Sequence, residues 1–144
     1  MKRTTYPTPQ DAEAAFYEAL ERSDLDAMME VWAEDEEIVC VHPTGPRLAG
    51  YDQIRESWSQ IFSSRQRVQV RLSNQMYVQG MMLSIHSVHE NIVVAGDAKP
   101  RPPMVATNVY LRTASGWRML VHHASPAPAS AAAPSVSEGP KILH

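Results

Sequence analysis

Residues 104–126, MVATNVYLRTASGWRMLVHHASP, constrain the fold more than any other stretch. Two runs of strand-forming residues, 104–112 and 117–124, flank the short polar loop Thr113-Ala114-Ser115-Gly116, which is the signature of a β-hairpin. Alternate side chains of a strand share a face. Strict alternation therefore groups Ala106, Asn108, Tyr110 and Arg112 on one strand, and Trp117, Met119, Val121, His123 and Ser125 on the other, leaving His122 to point outward. Each set is mostly apolar with a few polar groups inserted, the mixture that lines a ligand pocket.

The rest of the chain supplies something for that hairpin to pack against. Thr8-Pro9-Gln10-Asp11 starts a helix: a capping hydroxyl, a proline suited to the first helical position, and a carboxylate at the positive end of the helix dipole. Ala12, Ala15, Phe16, Ala19 and Leu20 follow as one apolar stripe. Ser23 or Asp24 caps a second short helix with the stripe Leu25, Met28, Met29 and Trp32. Residues 34–37 are four adjacent carboxylates and read as a solvated turn. Residues 38–41 form a short strand. His42-Pro43-Thr44-Gly45-Pro46 is irregular, being punctuated by two prolines and a glycine. A third helix, Tyr51–Ser63, carries Ile54, Trp58, Ile61 and Phe62 on one face.

From Gln66 the period changes. Val68, Val70 and Leu72 alternate with Gln69, Arg71 and Ser73, predicting a half-buried strand to about Tyr77. Residues 81–94 make a second long strand, residues 95–103 a Gly/Pro-rich loop, and the opening hairpin follows. Three N-terminal helices followed by consecutive strands imply an α+β domain over residues 1–126 with a mostly antiparallel sheet. Residues 1–7 are expected to be a flexible lead. The Ala/Pro/Ser-rich stretch 127–144 is expected to be a flexible tail, because it cannot bury enough apolar surface to offset its ordering entropy.

With 144 residues and a net charge of −3, one domain is expected, and no basic stripe points to nucleic acid. No run approaches the ~20 apolar residues of a membrane span, and no apolar run follows the basic start, so a cytoplasmic protein is expected. The single cysteine, Cys40, excludes an internal disulfide. It sits in an apolar strand, where a thiol is usually inert.

The order of elements and several local strings resemble the SnoaL-like, nuclear-transport-factor-two-like superfamily, also called the cystatin-like α+β fold. The strings are Phe16-Tyr17-Glu18-Ala19-Leu20 with Asp24-Leu25-Asp26, then Trp32-Ala33-Glu34-Asp35, then His42-Pro43-Thr44-Gly45 with Gly50 and Ile54, and finally Gly116-Trp117-Arg118-Met119 leading into His122-His123-Ala124-Ser125-Pro126. The resemblance implies three helices packed in the concave face of a curved, mixed, mostly antiparallel sheet. The open end of this cone is a pocket, and its outer sheet face makes a homodimer. Ketosteroid isomerases of this fold use a carboxylate base and two hydrogen-bond donors. Alignment on the Pro43–Gly50 turn puts His42 at the base position. Alignment on Gly116 puts Asn108 at one donor position. Phe16 falls on the donor tyrosine, and Tyr17 lies about 100° further round the helix. That isomerase mechanism is therefore not expected. The kinase-association domain of the calcium/calmodulin-dependent kinase is similar too. It matches His123 and Ser125 in the last strand, and its pocket arginine falls on His86, supporting Ser84, His86, Val88 and Glu90 as an inward-facing set.

Imidazole is the side chain best suited to proton transfer near neutrality. The expected site uses His42 or His123 as base and Asn108 with Tyr110 as oxyanion donors. Trp32, Trp58 and Trp117 are its apolar walls, and His86, Glu90, Val121 and Ser125 line the rest. The substrate expected is a small hydrophobic carbonyl or carboxylate compound. An alternative is that the histidines bond backbone or one another inside a partly polar core. No organic cofactor is implied. Metal is not expected, because His122 and His123 point to opposite faces and no HxH or HExxH pattern is present. The rival functional class is a non-enzymatic, homodimeric association module.

Overall fold

A computed structural model describes residues 3–64, 66–97 and 99–128. Three helices, α1 (Pro9–Arg22), α2 (Leu25–Val31) and α3 (Tyr51–Ser63), pack on one face of a six-stranded sheet. Its strands are β1 (Val39–Val41), β2 (Arg47–Ala49), β3 (Val68–Gln79), β4 (Leu83–Val94), β5 (Met104–Thr113) and β6 (Gly116–Pro126), in the spatial order β2-β1-β6-β5-β4-β3. Every neighbouring pair is antiparallel except β1 with β6, which is parallel. The sheet is mixed, mostly antiparallel, curved and unclosed, as expected. The three-residue β2 is the one strand that the sequence pattern does not announce.

The helix ends follow the residues at them. Thr8 caps α1 by accepting from the Asp11 N–H at 3.0 Å, and Pro9 occupies the first turn. Asp24 caps α2 by accepting from the Ala27 N–H at 3.0 Å. The core fills the space between α1 and the concave sheet face: Phe16, Met28, Val31, Trp32, Ile38, Ile54, Val88, Ala106, Tyr110 and Met119 are fully buried.

Two places depart from the sequence expectation. First, β6 carries a bulge. Val109 pairs with Val121, but Tyr110 pairs with Met119, so Leu120 is an extra residue. One inserted residue reverses the face of everything beyond it. Trp117 and Met119 point inward as alternation predicts, but past the bulge His122 and Ala124 are buried while His123 and Ser125 are exposed. Val121 stands on the outer face opposite Val109. Second, residues 3–7 are not a loose lead. Tyr6 is buried, bridges to Gly116, and accepts the Trp117 N–H at 2.9 Å. Gly116 has φ of +103°, and a Cβ there would lie 2.8 Å from the Tyr6 backbone N and O. Gly116→Ala is expected to lower stability by about 2 kcal/mol, read as a shifted urea midpoint at unchanged slope. The expected tail lies almost wholly outside the described residues. Only Ala127, buried and bonded through its N–H to the Pro103 carbonyl at 3.0 Å, and Pro128 are seen.

Candidate functional site

Strand register lines up two contrasting rows straight across the sheet. On the concave face, Leu48, Cys40, His122, Asn108, His86 and Tyr77 follow one another from β2 to β3. On the outer face the adjacent row is Ala49, Val39, Val121, Val109, Ile85 and Val78. Helix α1 lies over the concave row. Glu13 and Tyr17 are one turn apart on it, so both reach down onto the row.

Each makes a buried network. The Tyr17 hydroxyl donates to Glu90 Oε2 at 2.5 Å and accepts from Asn108 Nδ2 at 2.9 Å. Asn108 Oδ1 lies 2.6 Å from His122 Nδ1. An amide oxygen only accepts, so Nδ1 carries the ring proton and Nε2 keeps its lone pair. No described residue takes that Nε2. Burial holds His122 down to about 3, so the ring is neutral at ordinary pH. Burial raises Glu90 to about 7, with the Tyr17 bond opposing. It also holds the Tyr17 phenol far above its ordinary range, so that hydroxyl keeps its proton.

In the second network Glu13 Oε2 accepts from His86 Nδ1 at 2.9 Å, and Ser84 Oγ lies 2.9 Å from His86 Nε2. The Tyr77 hydroxyl donates to Glu13 Oε1 at 2.9 Å and its ring lies against His86. The Tyr110 hydroxyl is buried without a partner between the two networks.

His122 is walled by aromatic rings. Its centroid lies 4.8 Å from Phe16, 6.1 Å from Trp58 and 6.5 Å from His42. His42 sits edge-on to Trp58 at 4.7 Å. The Ser57 hydroxyl donates to the Ile54 carbonyl at 2.7 Å, so at 2.9 Å it accepts from His42 Nε2–H, leaving Nδ1 of His42 with the lone pair. Burial lowers His42 below its ordinary 6.5. A surface depression of about 420 Å³ between β2 and α3 is lined by Leu48, Asp52, Gln53, Glu56, Ser57 and Gln60, so Ser57 is the group that links it to His42. Two imidazoles, each with one nitrogen that no described residue bonds, thus lie in a largely buried aromatic nest.

The expected residues divide accordingly. His42, Trp58 and Asn108 come together here, with His122 in place of His123. Asn108 is not an available oxyanion donor, because both ends of its amide are engaged; it orients His122. His86 and Glu90 face inward, as their alternation with Ser84 and Val88 predicts, but belong to buried networks. Tyr110 is wholly enclosed. Trp32 is fully buried at the end of α2 and bridges to Met119, and Trp117 lines a cavity with Pro7, Gln79, Gly80, Met81 and Arg112. His123, Val121 and Ser125 lie on the convex side and cannot line the nest. His122, Tyr17 and Glu13 are residues that sequence reasoning missed. A helix packed into a concave sheet buries more than one stripe, so Phe16 and Tyr17 both point inward despite their 100° separation. Cys40 is buried, and burial raises its thiol to about 12, so it is inert. Among the described residues, no cluster of three potential metal ligands occurs, and no helix is long and apolar enough to cross a membrane.

This cone of three helices in a curved sheet belongs to the SnoaL-like family, whose domain model matches residues 10–130. The chain is similar to a candidate calcium/calmodulin-dependent protein kinase type II association domain from Thiobacillus denitrificans. The two are 40% identical over 87% of this chain and 99% of that one, with a TM-score of 0.79. It is similar to a candidate dehydratase of the NTF2-like family from Streptomyces avermitilis, 31% identical over 82% of this chain and 92% of that one, TM-score 0.75. It also matches the F-box protein SKIP8 of Arabidopsis thaliana at 24% identity over 76% of this chain, spanning 46% of that protein's length.

Proposed function

We propose that this protein binds a small hydrophobic molecule bearing a carbonyl or carboxylate, and performs isomerase-, cyclase- or dehydratase-type acid–base chemistry on it without an organic cofactor. The observation that carries the reading is His122: a neutral imidazole whose Nδ1 proton is held by Asn108 at 2.6 Å and whose face is walled by Phe16 and Trp58. An imidazole with a fixed tautomer, one basic nitrogen and apolar walls is suited to take a proton next to a carbonyl. His42 bonds Ser57, which lines the depression between β2 and α3, and this supports His42 as the group that would meet the ligand's polar end. The fold of a named candidate dehydratase at 31% identity is consistent with such chemistry.

The test is a thermal-shift and calorimetric screen with polycyclic ketones and aromatic acids. His122→Ala is expected to weaken binding of any hit at least about tenfold, the equivalent of ~1.4 kcal/mol. His123→Ala, on the convex face, is expected to change it little. Equal affinity in wild type and His122→Ala would discard the site.

A second reading, a homodimeric association module, is favoured by the outer row. Ala49, Val39, Val121, Val109, Ile85 and Val78 form an aliphatic band across all six strands, extended by exposed Met76 and Leu83. Bands of this kind mark interfaces. Ile85→Lys with Val109→Lys is expected to convert a dimer to a monomer in light scattering. The similarity to a candidate association domain supports this reading. It is compatible with the first, since it uses the opposite face of the sheet.

A further inference from the structure

Glu90 lies two strands from His122 and has no contact with the nest, yet an unbroken line of hydrogen bonds joins them. We propose that Glu90 is a positioning residue that decides, through Tyr17 and Asn108, which ring nitrogen of His122 carries the proton, so that one carboxyl sets whether the site offers a base or a donor. The proposal rests on His122 being the working group of the site.

An ionised carboxylate only accepts. Tyr17 must then donate to Glu90 Oε2, its oxygen accepts from Asn108 Nδ2, and Asn108 Oδ1 accepts from His122 Nδ1–H. The pyridine-type nitrogen is Nε2, facing the nest. A proton placed on Glu90 Oε2 turns that oxygen from acceptor to donor, and every link beyond it then reverses. The carboxyl O–H donates to the Tyr17 oxygen, and the phenol turns its proton to Asn108. The amide flips to present Oδ1 to Tyr17, and Nδ2 donates to His122 Nδ1. The ring has then released its Nδ1 proton and taken one on Nε2. The whole line gains one proton, the one on Glu90. A partial reversal would set two donors or two acceptors face to face in a buried site, so the four groups change together.

The surroundings suit such a device. The line is buried along its length, with Glu90 4%, Tyr17 6%, Asn108 0% and His122 4% exposed. Tyr17 keeps its phenolic proton and His122 stays neutral, so neither end absorbs the change as charge. Glu90 changes protonation near pH 7. The titratable groups that feel its charge are Tyr17 from α1 and Tyr110 from β5, and around Tyr110 lie Glu13 from α1, His86 on the strand of Glu90, and Tyr77 from β3. Of these, Tyr17 bonds it directly; Glu13, His86 and Tyr77 bond one another in the neighbouring network.

The experiment is nitrogen-15 NMR of the histidine rings in the full chain, with His122 assigned by loss of its signals in His122→Gln. Above pH 8 the pyridine-type signal should belong to Nε2. At pH 6 it should belong to Nδ1, with a midpoint near 7. Tyr17→Phe keeps the ring and cuts the line; Glu90→Gln keeps the shape and removes the titration. Both should leave the tautomer independent of pH. One tautomer throughout in wild type overturns the proposal, as does a transition that survives in either variant. The ring signals report without any ligand, so a failure of the binding screen and a failure of the relay are separate results.

Discussion

Arg118→Ala should lower stability by about 3–5 kcal/mol, among the largest losses available to a single substitution here. Arg118 is 1% exposed. Its guanidinium donates to the carbonyls of Thr4 (2.5 Å), Glu30 (2.8 Å) and Ser115 (3.1 Å), and lies over the Tyr6 ring at 4.9 Å. Three segments far apart in sequence, the N-terminal strap, the end of α2 and the β5–β6 turn, are therefore tied by one side chain. Removing it takes a donor from three part-buried carbonyls, Glu30's keeping a second one from Arg3, and each such loss costs about 1–3 kcal/mol. Against a total of about 5–15 kcal/mol for a domain, most of the margin is consumed. Arg118→Lys should recover only part of it, because a single ammonium cannot match the planar fork on three carbonyls. Urea unfolding of the three proteins reads the order wild type, Lys, Ala. Equal midpoints for wild type and Ala would show that the N-terminal strap contributes nothing to the fold.

Arg118 also shows where reading the chain stops. Helix caps, the period change after Gln66 and the hairpin at Thr113–Gly116 are local, and each was legible because a few neighbouring residues decide it. The family resemblance rested on these same strings. The inside of the cone was legible only where alternation runs undisturbed, as in Ser84, His86, Val88 and Glu90. It failed at Leu120. A bulge there is a matter of register between β5 and β6, and nothing in Met119-Leu120-Val121 marks it. The consequence was to exchange His122 for His123, and with it to place Val121 and Ser125 on the wrong face. Tyr17 was passed over for a different reason. An amphipathic stripe assumes a flat partner surface, whereas α1 lies in a concave one that wraps it. Asn108 was found, but its role depends on what stands at both ends of its amide, which only the assembled sheet shows.

Buried ionisable groups give the protein an unusual pH dependence, and Glu90 with His122 should dominate it. Glu90 has an ordinary value of 4.5 and is raised to about 7, so the native state holds a proton that the unfolded chain has lost; its contribution is full below pH 4.5 and is lost as pH rises through 7. His122 has an ordinary value of 6.5 and is lowered to about 3; its contribution is full above pH 6.5 and is lost as pH falls toward 3. Between pH 6.5 and 4.5 the two slopes are opposite and nearly equal, at about 1.4 kcal/mol per pH unit each. Wild type should therefore show little change from these groups across that window, a decline below pH 4.5 from His122 and a decline above pH 6.5 from Glu90. Glu90→Gln removes one side of the balance. Its stability should rise relative to wild type at pH 7.5 and begin to fall already at pH 6.5, so that the difference between the two proteins changes by about 3 kcal/mol between pH 4.5 and 7.5. Unfolding in urea at pH 7.5, 6.0, 4.5 and 3.5 measures that difference directly, and because every other carboxylate is common to both proteins, its titration cancels. A difference that is constant with pH would mean that Glu90 titrates outside this range, and the buried line from Glu90 to His122 would then hold a single proton arrangement at every pH where the protein is folded.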